Sequence, residues 1–302
     1  MPTFLSIGEC MIELASLGGD LMRKGFAGDT FNTAWYAHAF RPEGWTVEYF
    51  TALGDDSASA DMLGFIRSAG IGTGHIARLP GKAPGLYMIH LDNGERSFSY
   101  WRSAAAARQL ADDRDALQAA IHGAGIVYFS GITLAILPEA GRATLIELAR
   151  AARDAGKFVA FDPNIRPRLW TGKDEMLATI TKAAGTASLV LPGFDDEAAH
   201  FGDTSVAETI ARYRNAGATD VLVKDGVKGA TLAIGAETIH VPVHPAEKVV
   251  DTTSAGDSFN GGYLARWAAG DSPADAARFA SRVASSVIGH PGALITRETL
   301  AL

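Results

Sequence analysis

From residue 126 onward, short apolar segments alternate with longer stretches of helical period, and few folds accommodate that order. Residues 126–129, 158–161, 189–191, 221–223 and 231–234 read as short buried strands. Helices are predicted near 138–155, 173–184, 256–269 and 273–287. The first half opens the same way: a strand at 4–7, a helix at 30–40 after Gly28-Asp29, a strand at 47–51 and a helix near 57–68. Strands without polar alternation, separated by helices, imply a mostly parallel sheet covered on both faces, an α/β fold. One element does not fit that layer. Residues 85–90 and 96–101 mix polar and apolar side chains and flank Asn93-Gly94, a strong hairpin turn signal. They are expected to form a lid. The chain is read as one domain, 1–302, with the lid drawn from parts of 9–27 and 80–105.

In open sheets of this kind, ligands bind beyond the C-terminal ends of the strands. Polar signatures follow several predicted strands: Gly8-Glu9, Gly54-Asp55-Asp56, Asp162-Pro163-Asn164-Ile165-Arg166 and Lys224-Asp225-Gly226. Together they would line one crevice. The segment Asp251-Thr252-Thr253-Ser254-Ala255-Gly256-Asp257-Ser258-Phe259-Asn260-Gly261-Gly262 carries the most chemistry. Its small residues let backbone N–H groups converge at the start of a predicted amphipathic helix, where an anion can sit. Asp257 falls in the first turn. A carboxylate beside an anion cradle suits phosphoryl transfer to a hydroxyl. The plainer alternative is a helix start capped by Ser254 or Asp257, with no ligand.

Missing motifs narrow the choice. No Gly-Lys-Ser/Thr phosphate loop, dinucleotide fingerprint or Gly-x-Ser-x-Gly elbow occurs, and the 8 His form no zinc pattern. A formal charge of −7 with no basic run argues against nucleic acid as a partner. Cys10 is the only cysteine, so no intrachain disulfide is possible. No run is long and apolar enough to span a bilayer, and the opening residues lack a leader pattern. A cytoplasmic enzyme without a membrane partner is expected.

The residues 251–259 closely match the second signature of the PfkB carbohydrate kinases, and Gly28-Asp29-Thr30-Phe31-Asn32 resembles the first. The resemblance runs from Ile7-Gly8-Glu9 to Gly292-Ala293 and implies a ribokinase-like fold: a central, mostly parallel sheet flanked by helices, with a small β lid. Within that family the chain is most similar to the kinases of 2-keto-3-deoxygluconate. Gly8-Glu9-Cys10-Met11-Ile12-Glu13, Gly85-Leu86-Tyr87, Gly94-Glu95-Arg96, Tyr100-Trp101-Arg102 and Asn164-Ile165-Arg166-Pro167-Arg168-Leu169-Trp170 carry this likeness. It implies ATP-dependent phosphorylation of the 6-hydroxyl, yielding 2-keto-3-deoxy-6-phosphogluconate for Entner–Doudoroff and sugar-acid catabolism, by a homo-oligomer.

The resemblance also distributes roles. Asp257 would be the base, with Ser254, Ala255 and Gly256 supplying the anion hole. Gly28, Asp29, Asn32, Tyr87, Tyr100, Arg102, Asn164 and Arg166 would meet the sugar acid, since a guanidinium can grip a carboxylate with two hydrogen bonds. Asp29 could instead cap its helix, Arg168 could tie down its loop, and the lid tyrosines could serve packing or assembly. Lys224, Gly226, Gly229 and His290 would lie near the nucleotide, with Lys224 either on phosphate or solvated beside Asp225. Magnesium is expected with ATP. The family's Asn-x-x-Glu segment departs here to Gly193-Phe194-Asp195-Asp196-Glu197, leaving Asp196 or Glu197 for the acidic role. Asp251 and Thr253 are candidates for a monovalent-cation site such as potassium. The competing readings are a kinase of fructose, ribose or 2-keto-3-deoxygalactonate on the same fold, and a noncatalytic sugar-acid sensor.

Overall fold

A computed structural model describes residues 1–92 and 95–300. The strands are Thr3–Ile7 (β1), Met11–Gly18 (β2), Leu21–Ala27 (β3), Thr46–Leu53 (β4), Ile76–Arg78 (β5), Leu86–Asp92 (β6), Glu95–Trp101 (β7), Ile126–Ser130 (β8), Phe158–Asp162 (β9), Leu189–Val190 (β10), Asp220–Lys224 (β11), Ala230–Ile234 (β12) and Glu237–Val241 (β13). The α-helices are Asp29–Phe40 (α1), Ser57–Ser68 (α2), Arg114–Gly123 (α3), Gly131–Ile136 (α4), Glu139–Asp154 (α5), Lys173–Ala184 (α6), Phe194–Phe201 (α7), Val206–Asn215 (α8), Ala255–Ala268 (α9), Pro273–Val287 (α10) and Arg297–Leu300 (α11).

Nine strands form one sheet in the order β13-β12-β11-β10-β9-β8-β1-β4-β5. It is parallel from β11 to β5, while β12 and β13 add antiparallel at one edge. Its side chains alternate between two cores, as a period of two requires. Leu5, Ile7, Val127, Phe129, Val159 and Phe161 face the core shared with α3 to α6. Phe4, Ile126, Tyr128 and Ala160 face the core shared with α1, α2, α9 and α10. Both faces are dry, which is why these strands carry no polar alternation.

From β1 the chain moves to β4 and β5 on one side, then returns to β8 and proceeds through β9, β10 and β11 on the other. The strand order therefore reverses between β1 and β8, and a crevice opens there at the C-terminal strand ends. The hairpin of β6 and β7 stays outside this sheet. It joins a separate four-stranded sheet, β3-β2-β6-β7, with Leu86 opposite Trp101 and Tyr87 opposite Tyr100. The predicted turn at Asn93-Gly94 lies outside the described residues. Strands β2 and β3 fall within the 9–27 part of the expected lid, but their sequences do not alternate cleanly and mark no individual strands. No helix among the described residues is long and apolar enough to cross a membrane.

The predicted amphipathic character of α9 needs correcting. Ser258 through Ala265 are all buried, so the helix is enclosed rather than one-sided. It packs between α1 and α10. A Cβ on Gly261 would lie 2.6 Å from the Thr33 carbonyl oxygen and 2.7 Å from the Tyr36 Cβ, and one on Gly262 would lie 3.1 Å from the Val283 Cγ2. The adjacent glycines thus bring α9 against one neighbour each, and the closeness to α1 sets the width of the crevice floor.

Gly261→Val should cost about 1–3 kcal/mol by overpacking, read from denaturant unfolding, and should lower activity in the folded fraction. Gly64→Ala on α2, where a Cβ meets nothing within 4 Å, should be neutral or stabilising by up to about 1 kcal/mol. Equal unfolding midpoints for the two variants would contradict the packing account.

Candidate active site

The α9 N-terminus faces the crevice, and its backbone is unusual. Ser254, the residue before the helix, adopts a left-handed conformation with φ 65°, uncommon outside glycine. Its carbonyl accepts from the Ser258 N–H at 2.8 Å, but its hydroxyl is buried without a hydrogen-bond partner. No side chain caps α9, whereas Asp56, Ser205 and Ser272 cap α2, α8 and α10. Capping therefore does not explain Ser254 or Asp257. The Ala255 N–H turns back to the Thr252 carbonyl at 3.2 Å, so Gly256 and Asp257 are the better-placed backbone donors for an anion.

Asp257 lies on the wall of the crevice opposite α1. The Asn32 amide donates to its carboxylate at 2.8 Å, and the Asn32 side-chain oxygen accepts from the Gly28 N–H at 3.3 Å. Gly28 has no room for a side chain: a Cβ there would lie 2.1 Å from the Glu9 carbonyl oxygen. Asp29 begins α1 and accepts from the Asn164 amide at 2.8 Å, with Ser130 as a further donor. Burial, then the Asp29 charge, pushes the Asp257 carboxyl up to about 7. Burial also raises Asp29. Asp257, Asp29, Asn32, Asn164 and Gly28 are thus gathered from three separate chain segments.

Lys224, at the end of β11, does not stand beside Asp225 as one reading had it. Its ammonium lies 3.0 Å from the Asp162 carboxylate and 3.0 Å from the Asn260 side-chain oxygen, while Asp225 pairs with Lys228. The Lys224 Nζ is 3.6 Å from where a Gly256 Cβ would be, against the start of α9. Gly226 and Gly229 adopt φ 49° and 94°, and a Cβ on Gly229 would lie 2.2 Å from the Val241 carbonyl oxygen. Backbone geometry alone accounts for both glycines. His290 follows α10 and its ring bonds the Ser286 carbonyl at 2.9 Å.

The sugar-acid candidates divide into two groups. Arg166 is half-exposed and reaches Asp196 at 3.3 Å and the Ile165 carbonyl at 2.7 Å. Arg168 is exposed on the loop that follows. Arg102 is nearly buried and pairs with Glu9, leaving Arg102 Nε and Glu9 Oε1 without partners. The Tyr87 hydroxyl donates to Glu13, and the Tyr87 ring lies 5.9 Å from that of half-exposed Tyr100. Glu9 links this group to the crevice. Burial raises its carboxyl despite Arg102, and the Asp29 charge raises it further.

The metal candidates do not converge. Glu197 is corrected outright: it is fully buried, accepting from Arg212 at 2.6 Å and from the Tyr213 hydroxyl at 2.9 Å. It ties α7 to α8 and is closed to a metal. Asp196 faces Arg166 instead. Asp251 accepts the Thr253 N–H at 3.0 Å and the Gly292 N–H at 2.7 Å, fixing the loop before α9. Among the described residues, no three His, Cys, Asp or Glu side chains are grouped to hold a metal.

The sequence places Glu9 and Asp162 along the crevice without a specific role, and gives none to Glu13, Tyr128 or Asn260. Asn260 had a legible signal, standing three residues after Asp257 on one helix face. Asp162 and Glu9 follow predicted strands, but nothing in the sequence names their partners.

The model of the pfkB family of carbohydrate kinases matches residues 1–300. The 2-dehydro-3-deoxygluconokinase of Dickeya dadantii is 43% identical, with 97% of each chain covered. That of Escherichia coli K12 is 42% identical at the same coverage. The crystal structure of a PfkB protein from Polaromonas sp. JS666 has a TM-score of 0.86 and 26% identity, covering 100% of this chain and 99% of that one. With the crevice, the uncapped α9 and Asp257 opposite α1, these matches lead to one conclusion: the chain belongs to the pfkB family of carbohydrate kinases.

Proposed function

We propose that the chain transfers the terminal phosphoryl group of ATP to the 6-hydroxyl of 2-keto-3-deoxygluconate, the sugar acid also called 2-dehydro-3-deoxygluconate. The observation that carries the chemistry is Asp257, raised to about 7, in the first turn of an uncapped helix and hydrogen-bonded to Asn32 across the crevice. The names of the relatives at 42–43% identity support the substrate.

In this reading the acceptor hydroxyl lies against Asp257, and Asn32 holds the carboxylate in place. As the hydroxyl oxygen attacks phosphorus, its proton becomes acidic and passes to Asp257. The N–H groups of Gly256 and Asp257, with the Lys224 ammonium, face the charge on the transferring group. Asp29 and Asn164 are suited to sugar hydroxyls. Arg102 and Arg166 carry positive charge for the acid end, Arg102 from its pair with Glu9. His290 would lie towards the base of the nucleotide.

Magnesium enters as part of the nucleotide substrate and neutralises phosphate charge. Among the described residues, no group of three His, Cys, Asp or Glu side chains builds a cage for it. Potassium dependence is the finer proposal for the Asp251–Thr253 loop. Loss of potassium should then slow turnover without unfolding the protein. Residues of β2, β3, β6 and β7 act as the lid. Exposed Leu17, Leu21, Phe98, Tyr100 and Trp101 on that sheet support a homo-oligomer, and sedimentation would reveal its order. A cytoplasmic setting belongs to the same proposal.

An ATP-coupled assay across 2-keto-3-deoxygluconate, its galactonate-derived epimer, fructose and ribose tests the substrate. The sugar acids should lead by at least tenfold in kcat/KM, and phosphate should appear on carbon 6. A large preference for fructose would overturn the assignment. Arg166→Lys should raise the sugar-acid KM by roughly tenfold, about 1.4 kcal/mol, with kcat little changed.

Asp257→Asn should bind ATP and the sugar acid but lose turnover by at least about 10²-fold. Because Asp257 acts as the base and its carboxyl is raised to about 7, turnover should fall as pH drops through that value. A rate that stays flat to pH 5, or near-normal turnover in the variant, would remove Asp257 from the role.

A further inference from the structure

We propose that Asp162 and Asn260 are positioning residues that hold the Lys224 ammonium against the start of α9, where it meets the nucleotide phosphates. The inference rests on the kinase reading above and gives work to two residues outside it.

Four separate elements build the arrangement. Lys224 Nζ, from the end of β11, is 3.0 Å from both the Asp162 Oδ2 and the Asn260 Oδ1. The Asn260 Nδ2, from α9, donates to the same Asp162 oxygen at 2.6 Å and to the Tyr128 hydroxyl of β8 at 3.2 Å. The second Asp162 oxygen, at the end of β9, accepts the Asn164 N–H at 3.0 Å. Asn260 is fully buried and Asp162 nearly so. Each group has its polarity dictated by its neighbours: with the amide reversed, nitrogen would face ammonium and oxygen would face carboxylate. The lysine is therefore held in one place before any ligand arrives.

That place is electrostatically costly without an anion. Helix N-termini carry partial positive charge, so a lysine beside the first turn of α9 is opposed by the helix itself. Asp162 offsets the repulsion and holds the ammonium. An ammonium has three donors, and the two acceptors named above leave one for a ligand. A phosphate lodged on the Gly256 and Asp257 N–H groups would meet that cation, turning repulsion into attraction. The Asp162 and Asn260 contacts hold the lysine, and its seat 3.6 Å from the Gly256 Cβ site puts the remaining donor at the helix start.

The network also reaches the base. Charged groups face Asp257 from every side: Asp29 from α1, Asp162 from β9 and Lys224 from β11, with neutral Asn32 and Tyr128 beside them. Lys224 lowers the Asp257 carboxyl, while Asp29 and Asp162 raise it. Removing the lysine should therefore move the acid limb of the pH–rate profile to higher pH.

The test is a double-mutant cycle on Lys224→Met, Asp162→Asn and the pair, with thermal midpoints recorded for each. Lys224→Met should lower kcat by about 10²-fold and weaken ATP binding, with the sugar-acid KM within about twofold. Asp162→Asn should lose at least about tenfold in the same parameters. The double variant should be no worse than Lys224→Met within about twofold, because Asp162 acts through the lysine. Asn260→Ser should weaken ATP binding in the same direction if Asp162→Asn folds poorly. Multiplicative losses in the double variant, unchanged ATP affinity, or an unmoved acid limb in Lys224→Met would overturn the proposal. The cycle can be run with whichever sugar the wild-type enzyme phosphorylates, so a wrong substrate would appear as a wild-type preference and leave the cycle readable. ATP titration calorimetry on the same variants supplies the ordering without turnover.

Discussion

The crevice depends on how closely α9 lies against α1. Gly261 permits that approach, since a Cβ there would run into the Thr33 carbonyl and the Tyr36 side chain. Only at this spacing can Asn32, on α1, hold Asp257, on α9, in a hydrogen bond of 2.8 Å. The same spacing leaves Asp29 near enough for its charge to raise the Asp257 carboxyl. Glycine within a helix is unfavourable by about 1 kcal/mol relative to alanine. Two in succession inside a buried helix therefore indicate a packing demand that outweighs helix propensity, and the proposed chemistry inherits its geometry from that demand.

The legible and illegible parts of the fold divide on physical lines. The buried parallel strands are legible because both of their faces are dry, so segments such as residues 126–129 carry an unbroken apolar run. Strands β2 and β3 have intermediate and exposed positions, and their sequences Met-Ile-Glu-Leu-Ala-Ser-Leu-Gly and Leu-Met-Arg-Lys-Gly-Phe-Ala do not alternate cleanly. The enclosed α9 was visible as a helix but misread as one-sided, since small residues bury easily without advertising a face. At the site, Asp257 is legible from the small residues before it, and the Gly28-Asp29-Thr30-Phe31-Asn32 segment from its likeness to a family signature. Pairings such as Lys224 with Asp162, or Arg102 with Glu9, join residues far apart in sequence. No local pattern encodes them; they follow from the strand order. Glu197 shows the reverse failure. Its neighbours in sequence suggested a metal ligand, while its neighbours in space, Arg212 and Tyr213, consume the carboxylate.

The crevice also concentrates acidity. Asp29, Asp162 and Asp257 converge near a single lysine. Like charges this close disfavour ionisation, and the Asp29 and Asp257 carboxyls are both raised. For a transfer reaction this arrangement has a use. A carboxyl near neutrality takes a proton more readily than an ordinary aspartate, which is too weak a base at pH 7. The cation that tempers the cluster is the same Lys224 that faces the helix start. Under the proposed function, a phosphate drawing on the Lys224 charge would weaken its hold on Asp257 and leave that carboxylate more basic.

The two arginines assigned to the acid end arrive already paired, and this bears on selectivity. Arg166 shares a solvent-exposed contact with Asp196, an interaction worth little in water and easily exchanged. Arg102 is different: its partner Glu9 is almost wholly buried, and both retain unpartnered polar atoms. A buried ion pair with loose ends is stabilising only when other groups satisfy them. Under the proposed function, a substrate bringing a carboxylate and hydroxyls would supply those partners, whereas a neutral sugar would bring no anion. Selectivity for a sugar acid would then come from completing a deficient pair, with Glu9 setting where the guanidinium stands.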